Sequence, residues 1–418
     1  MRILLATWGS YGDLNPYLGL AVALKARGHH PILATLPAAC ATVEAEGIEC
    51  RPAGPDIHPD DREVLRRVMD PRRGGEYLLG ELLFPATDAW FEQLHAAADG
   101  VDAIVSHTVT FPAPVVAEHR GLPWLSGVLS PVSFFSLHDF PVLPPNAARG
   151  PISRSSLVNR AVRGVIRLVC RRWQRPVHAL RARLGLPSRG APLFEGQFSP
   201  FGTLAMYSRV LGAPQPDWPQ NVVQGGAVFY DSANGSAELP ADLAAFLAAG
   251  PPPVVFTLGT SAVGAPGAFY RESLEAVQRL GVRAVLLVGR YPENRPAERL
   301  PDTVFVADSV RHSLLFPHAA VIVHQGGAGT MAQALRAGRP QLVVPHAHDQ
   351  PDHAWRLKRL GVGELLPPPR YAASRVAEQL GLLLSEPAYE ARAAEVAATV
   401  RAEPGVAAAC DAIEALGR

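Results

Sequence analysis

Apolar positions along this chain recur in two registers. Unbroken apolar runs, many of them rich in β-branched residues, occupy 3–7, 31–35, 102–106, 124–129, 204–207, 254–258, 283–288, 303–306, 319–323 and 341–345. Their length and composition predict buried parallel strands. Between them lie stretches with apolar residues at helical spacing, as in 14–25, which Gly28 closes. Strand, loop, helix, strand is the unit of a Rossmann-like half, and it recurs in both halves of the chain. The pattern predicts an α/β protein with one domain over 1–215 and a second over 216–395. The proline-rich 214–219 reads as the linker, and the alanine-rich 396–418 as a terminal helix.

One helical stretch stands apart. Residues 157–184 predict a helix broken near Pro176. Arg160, Arg163, Arg167 and Arg171 fall on one face, and Leu157, Ala161, Val165, Leu168 and Val169 on another. No Asp or Glu occurs between 140 and 194. The plain expectation is a surface helix with its basic face in water. The sharper one is a peripheral membrane contact serving a lipid acceptor.

Length and charge narrow the class. A chain of 418 residues exceeds one core and suits two. A formal charge of +1 argues against nucleic acid as the main partner. The four scattered cysteines suit a reducing cytosol and offer no metal framework. No apolar run reaches the roughly 18 residues of a membrane span. The opening residues lack the apolar core and cleavage site of a signal peptide, so a cytoplasmic location is expected.

The densest chemistry lies in 321–360. A strand ends at His324, and a turn with Gly326, Gly327, Ala328 and Gly329 leads into a helix near Thr330. Gly338 and Pro340 stop that helix. Asp349 and Gln350 follow the next strand, just before a helix opened by Pro351. Glycines let backbone approach a ligand, and a helix N-terminus offers free N–H groups and a positive dipole end. With His324 as a further donor, the unit is an anion site that a diphosphate fits. Asp349 and Gln350 stand where sugar hydroxyls would lie. The first strand is followed by Gly9-Ser10-Tyr11-Gly12-Asp13, which does not fit the Gly-x-Gly-x-x-Gly of dinucleotide enzymes.

The stretch resembles the nucleotide-sugar signature of the family 1 glycosyltransferases. His324, Gly326, Gly327, Gly329, Ala334, Leu335, Gly338, Pro340, Pro345, Asp349 and Gln350 follow that signature in order. The Gly-Ser-x-Gly-Asp at 9–13, Gln-Pro-Asp-Trp-Pro at 215–219 and Ala-His-Asp-Gln at 347–350 are similar to a bacterial branch that includes rhamnolipid rhamnosyltransferases. Sterol glucosyltransferases are more distantly similar. The resemblance implies the GT-B fold, two Rossmann-like domains facing across a cleft, with the last helix crossing back to the first. It implies an inverting transfer from a nucleoside-diphosphate sugar to a hydroxyl of a hydrophobic small-molecule or lipid acceptor. The donor would be UDP- or dTDP-linked, with UDP-glucose favoured, and no metal or other cofactor is required.

The same resemblance assigns roles. Asp13 would be the general base, with His107 as its partner or as the base itself. Gly12, Thr260, His324, the 326–330 turn, Asp349 and Gln350 would hold the donor. Many relatives place an aromatic residue to stack on the base where this chain has Ser309 and Val310. A ribose-binding Glu of plant relatives is replaced by Ala332. Phe111, Trp124, Phe134 and Phe135 would line the acceptor site. His346, His348, Asp349, Asp352 and His353 cluster in sequence, yet Pro351 opens a helix among them and the family chemistry needs no metal, so no metal site is expected. The alternatives are a nucleotide-sugar epimerase or hydrolase on the same fold, and a non-catalytic auxiliary homologue.

Overall fold

The structure, a computed structural model, describes residues 1–57, 61–144, 150–230, 238–296 and 300–417. The first sheet contains β1 (Arg2–Ala6), β2 (His30–Thr35), β3 (Glu49–Pro52), β4 (Ala103–His107), β5 (Trp124–Val128), β6 (Thr203–Ala205) and β7 (Val222–Val223). The second contains β8 (Val254–Thr257), β9 (Ala284–Leu287), β10 (Val304–Ala307), β11 (Val321–His324), β12 (Gln341–Val343) and β13 (Gly363–Leu365). Their orders are β3-β2-β1-β4-β5-β6-β7 and β10-β9-β8-β11-β12-β13, with parallel neighbours throughout. Strand order reverses between β1 and β4, and between β8 and β11. The crevice at such a reversal, beyond the strands' carboxyl ends, is where open α/β sheets take ligands. The loops carrying Asp13, His107, Thr260 and His324 leave these four strands.

Six helices position the site or join the domains. They are α1 (Tyr11–Ala26), α2 (Ser156–Cys170), α3 (Ala328–Ala337), α4 (Gln350–Leu360), α5 (Pro387–Ala402) and α6 (Val406–Glu414). Leu14, Tyr17, Leu18 and Leu20 seat α1 on the sheet with Ile3 and Leu5. On α6, Ala409, Cys410 and Ile413 enter that same first-domain core. Arg27 adds ion pairs to Asp411 at 2.6 Å and Glu414 at 3.3 Å. The tail thus returns to the first domain, but in two pieces. On α5, Val396 and Val400 pack with Met331 and Leu335 of the second domain. The chain turns near Glu403, whose carboxylate accepts from Ser208 Oγ (2.9 Å) and Arg209 N (3.0 Å).

Three sequence expectations need correction. The first domain extends past 215, because β7 belongs to its sheet. The 214–219 segment is accordingly packed in place: Asp217 accepts from Ser136 Oγ (2.6 Å) and Leu137 N (2.7 Å), and Trp218 stacks on Phe134 at 4.0 Å. The cysteines are not all scattered in space, since Cys40 and Cys50 form a disulfide, Cα to Cα 5.4 Å. Finally, the apolar face of α2 is not buried. Asn159 and Cys170 face inward, Arg163 donates to the Phe135 carbonyl (3.2 Å), and Arg167 pairs with Glu195. Protein acceptors take Arg163 and Arg167, Arg160 and Arg171 stay exposed, and the apolar face is also left in water, with Leu157 75% and Leu168 70% exposed. No helix among the described residues is long and apolar enough to cross a membrane.

The domains meet along a polar seam. Arg356 of α4, 2% exposed, donates to Asp352 (2.5 Å), to Asp139 (2.5 Å) and to the Leu211 carbonyl (2.7 Å). Asp352 also accepts from Val142 N at 2.9 Å. A buried guanidinium between two carboxylates, with further bonds on each side, offsets its desolvation. Beside it, His353 joins the Ser130 hydroxyl (2.8 Å) to the Gly326 carbonyl (2.8 Å). The carbonyl requires Nδ1 to carry a proton. The glycine turn of one domain is thereby tied to a loop of the other.

Candidate active site

The loop after β1 builds a carboxylate into a helix cap. Ser10 is the N-cap of α1, and its Oγ accepts from Gly12 N at 3.2 Å. Asp13 sits at the third helical position, where Ser10 N (2.9 Å) and Ser10 Oγ (3.1 Å) both donate to its Oδ2. This is a capping box. Gly9, at φ 136°, is needed there, because a Cβ at that position would collide with the Asp13 carboxylate. Capping and chemistry are not alternatives at this residue. Both hydrogen bonds fall on Oδ2, and Oδ1 has no partner among the described residues. Burial, and then the neighbouring Asp349 charge, push the carboxyl up to about 7.

The expected pairing of Asp13 with His107 is not formed. His107 ends β4, 5% exposed, and its Nδ1 lies 3.3 Å from Thr7 Oγ1. That same Thr7 hydroxyl reaches the Asp13 backbone carbonyl at 3.2 Å, so Thr7 stands between the two. Burial holds the His107 imidazole down to about 4, neutral near pH 7.

The second domain carries the expected glycine turn and helix start. Gly327 is the N-cap of α3, and Gly326 has φ 89° with Val343 and Gln350 too close to admit a side chain. Ala328 and Gly329, at the start of α3, line an interdomain pocket. His324, however, is fully buried. Its Nδ1 accepts from Gly326 N (3.0 Å), and its Nε2 donates to Gln341 Oε1 (2.9 Å). Burial lowers its pKa to about 4. Neither nitrogen is free for a phosphate, and the ring carries no charge to offer. Both His324 nitrogens are thus committed to holding the turn.

Replacing His324 tests that role. In His324→Ala the Gly326 amide and the Gln341 side chain lose buried partners, so we expect a loss of about 1–3 kcal/mol in unfolding free energy. Nucleoside-diphosphate affinity in the wild type should also show no titration attributable to His324 between about pH 5 and 8. Chemical denaturation and calorimetry across that range check both.

The sugar-facing end is divided similarly. Asp349 occupies the N-cap of α4 without making a capping bond, keeps part of its side chain exposed and lies 3.6 Å from His353 Nε2. Gln350 is buried, and its Oε1 accepts from His346 N (2.8 Å) and Ala347 N (3.2 Å). Its carbonyl therefore holds the 346–347 loop, leaving only the amide nitrogen for a ligand. Thr260 is exposed in the short helix Gly259–Ala262 after β8. Ser309 is exposed and Val310 half-buried beyond β10.

Gly12 and Gly329 meet across the seam: a Cβ on Gly329 would lie 3.6 Å from Gly12 Cα. Pro16, Met206, Tyr207 and Ala328 line the same interdomain pocket. The Gly9–Asp13 loop of the first domain and the glycine turn of the second thus face one another directly.

The four aromatics expected at the acceptor site all pack against other rings or strands, and Phe111 also lines a small pocket with His107. Phe111 is buried and stacks on Phe84 at 4.2 Å, and Trp124 is 1% exposed within β5. Phe134 stacks on Trp218 (4.0 Å) and Phe198 (5.5 Å), and Phe135 tilts against Phe194 at 5.0 Å. Large apolar rings are drawn to any available core, and their sequence positions do not say which.

Three further polar groups lie on the loops after β11 and β12. Gln325 Oε1, His346 Nε2 and His348 Nε2 are buried with no hydrogen-bond partner, and His348 has φ 57°. In the sequence, Gln325 stands between His324 and the glycine turn, and His346 and His348 belong to the cluster around Asp349. Of the sequence cluster around them, Asp352 and His353 are committed to the seam described above.

A family model described as Erythromycin biosynthesis protein CIII-like, C-terminal domain, matches residues 273–416. The chain is 33% identical to the O-mycaminosyltylonolide 6-deoxyallosyltransferase of Streptomyces fradiae, over 99% of this chain and 97% of that one. It is 31% identical to the vancomycin aglycone glucosyltransferase of Amycolatopsis orientalis, over 100% and 98%. Among solved structures, the glycotransferase of kitacinnamycin superposes with a TM-score of 0.76 at 23% identity, covering 99% and 98% of the two chains. The spinosyn rhamnosyltransferase SpnG complexed with thymidine diphosphate gives 0.71 at 22%, covering 99% and 100%. At such identities the structural likeness bears on the fold.

Proposed function

The chain belongs to the family 1 glycosyltransferases of GT-B fold, and from that premise we propose an inverting transfer with Asp13 as the general base. A nucleoside-diphosphate sugar binds the second domain. Its diphosphate lies on the Gly326–Thr330 amides at the start of α3, and Asp349 accepts from the sugar hydroxyls. A hydroxyl of a hydrophobic natural-product acceptor, held by the first domain, attacks the anomeric carbon as Asp13 Oδ1 takes its proton. The carbon–oxygen bond to the diphosphate breaks, and the leaving charge is spread over the helix N-terminus.

The observation that carries this reading is the Asp13 carboxyl itself, pushed up to about 7 and placed opposite the anion turn. A base works best with its pKa near the working pH. The solved relative with thymidine diphosphate supports a dTDP-linked donor beside a UDP-linked one. UDP- and dTDP-sugars incubated with a panel of macrolactone, glycopeptide and phenolic aglycones, read by mass spectrometry, test the proposal. A glycosylated aglycone with release of one nucleoside diphosphate supports it. Free sugar or an epimerised donor at equal rates without any aglycone would replace it with a hydrolase or epimerase.

A further inference from the structure

The exposed apolar face of α2 has no partner among the described residues. Leu157, Val158, Val165, Leu168 and Val169 line one side of the helix, and Ile152 precedes it, each between 44% and 75% exposed. Isolated apolar residues on a surface are ordinary, but a contiguous stripe on one helix marks an interaction site. The helix is held in this attitude by its other sides. Asn159 Nδ2 donates to the Leu137 carbonyl at 2.9 Å, Arg163 to that of Phe135, and Arg167 pairs with Glu195.

Charge selects the occupant. At 100° per residue, Arg160 and Arg171 fall at one margin of the apolar stripe. Both are exposed, as are Arg154 and Arg175, and none of the four has an ion pair among the described residues. The chain from 140 to 194 contains eleven Arg and no Asp or Glu. A second copy seated on this face would bring two arginine margins together, which argues against self-association. An apolar stripe with a cationic border is complementary to a bilayer carrying anionic headgroups.

We propose that α2 docks the protein on anionic membrane surfaces, apolar face in the acyl boundary and Arg160 and Arg171 among the headgroups. The segment supporting α2, 135–142, continues to Asp139 and Val142 at the domain seam. Docking would therefore set the acceptor side of the cleft beside the membrane, where a lipid-dissolved acceptor is concentrated. This goes beyond the transfer reaction and does not depend on it.

Flotation with vesicles decides it. The whole chain should float with phosphatidylglycerol mixed into phosphatidylcholine, and bind phosphatidylcholine alone about tenfold more weakly or less. The double variant Val165→Glu, Leu168→Glu should lose about tenfold or more of the binding to the mixed vesicles. Both positions are exposed, so its thermal midpoint should match the wild type. Arg160→Glu with Arg171→Glu should lose binding while keeping every apolar group. Wild-type protein that stays in the buffer overturns the proposal, as does equal binding by the Glu variants. A dimer in light scattering that Leu168→Glu dissolves would assign the face to a second copy.

Discussion

Asp13→Asn should fold, bind nucleoside diphosphate like the wild type, and lose about a hundredfold or more in turnover. Asn retains an oxygen that can accept from Ser10 N and Ser10 Oγ, the two bonds made by Asp13 Oδ2. It cannot accept the acceptor's proton. An acidic phenol should suffer least, because it ionises without help. The wild-type rate should climb with pH through about 7, where the carboxyl sheds its proton, and then level. Stability supplies an independent reading. The folded carboxyl is raised above its ordinary 3.8, so between about pH 4 and 7 the folded state holds a proton that the unfolded chain releases. Wild-type stability contributed by this group falls as pH rises through that window. The Asn variant has no such proton, so its stability relative to wild type should improve from about pH 4 to 7 and then hold constant. Near-wild-type turnover on an aliphatic alcohol, measured where chemistry limits the rate, would rule out Asp13 as the base.

How much of this was legible from residues alone follows the range of the forces involved. The central strands were readable because burial on both faces demands an apolar run, as in Leu4, Val255 and Ile322. The edge strands β3, β7 and β13 were not. Glu49–Pro52 and Gly363–Leu365 carry polar or half-buried residues, and Val222–Val223 is two residues long. Their pairing is set by the neighbouring strand rather than by their own pattern. The glycine turn was readable too, since φ above zero and a helix start are local requirements. Side-chain roles were less so. The partner that occupies His324 is Gln341 on the next strand, and the partner of His353 is Ser130 in the other domain. For α2, spacing gave the two faces correctly, but the partners of Arg163 and Arg167, the Phe135 carbonyl and Glu195, lie outside the helix.

Asp349→Asn should separate sugar recognition from nucleotide recognition. The residue stands at the N-cap of α4 without a capping bond, so the helix loses nothing when the charge goes. A carboxylate accepting from sugar hydroxyls makes charge-assisted bonds that an amide only partly replaces, each worth about 1.5–3 kcal/mol. Affinity for the intact sugar donor should fall about ten- to a hundredfold, while free nucleoside diphosphate binds as before. The same substitution reaches the base. Asp349 is the second cause of the raised Asp13 pKa, after burial, and its charge opposes ionisation of Asp13. Without that charge Asp13 ionises more readily, so the acid limb of the rate profile should move to lower pH. A purely structural residue would weaken both ligands together and leave the limb in place. Calorimetry with donor and with free diphosphate, alongside rates at saturating donor from about pH 5 to 9, distinguishes the two. Equal loss of both affinities with an unmoved limb would remove Asp349 from the donor site and from the electrostatics of Asp13 together.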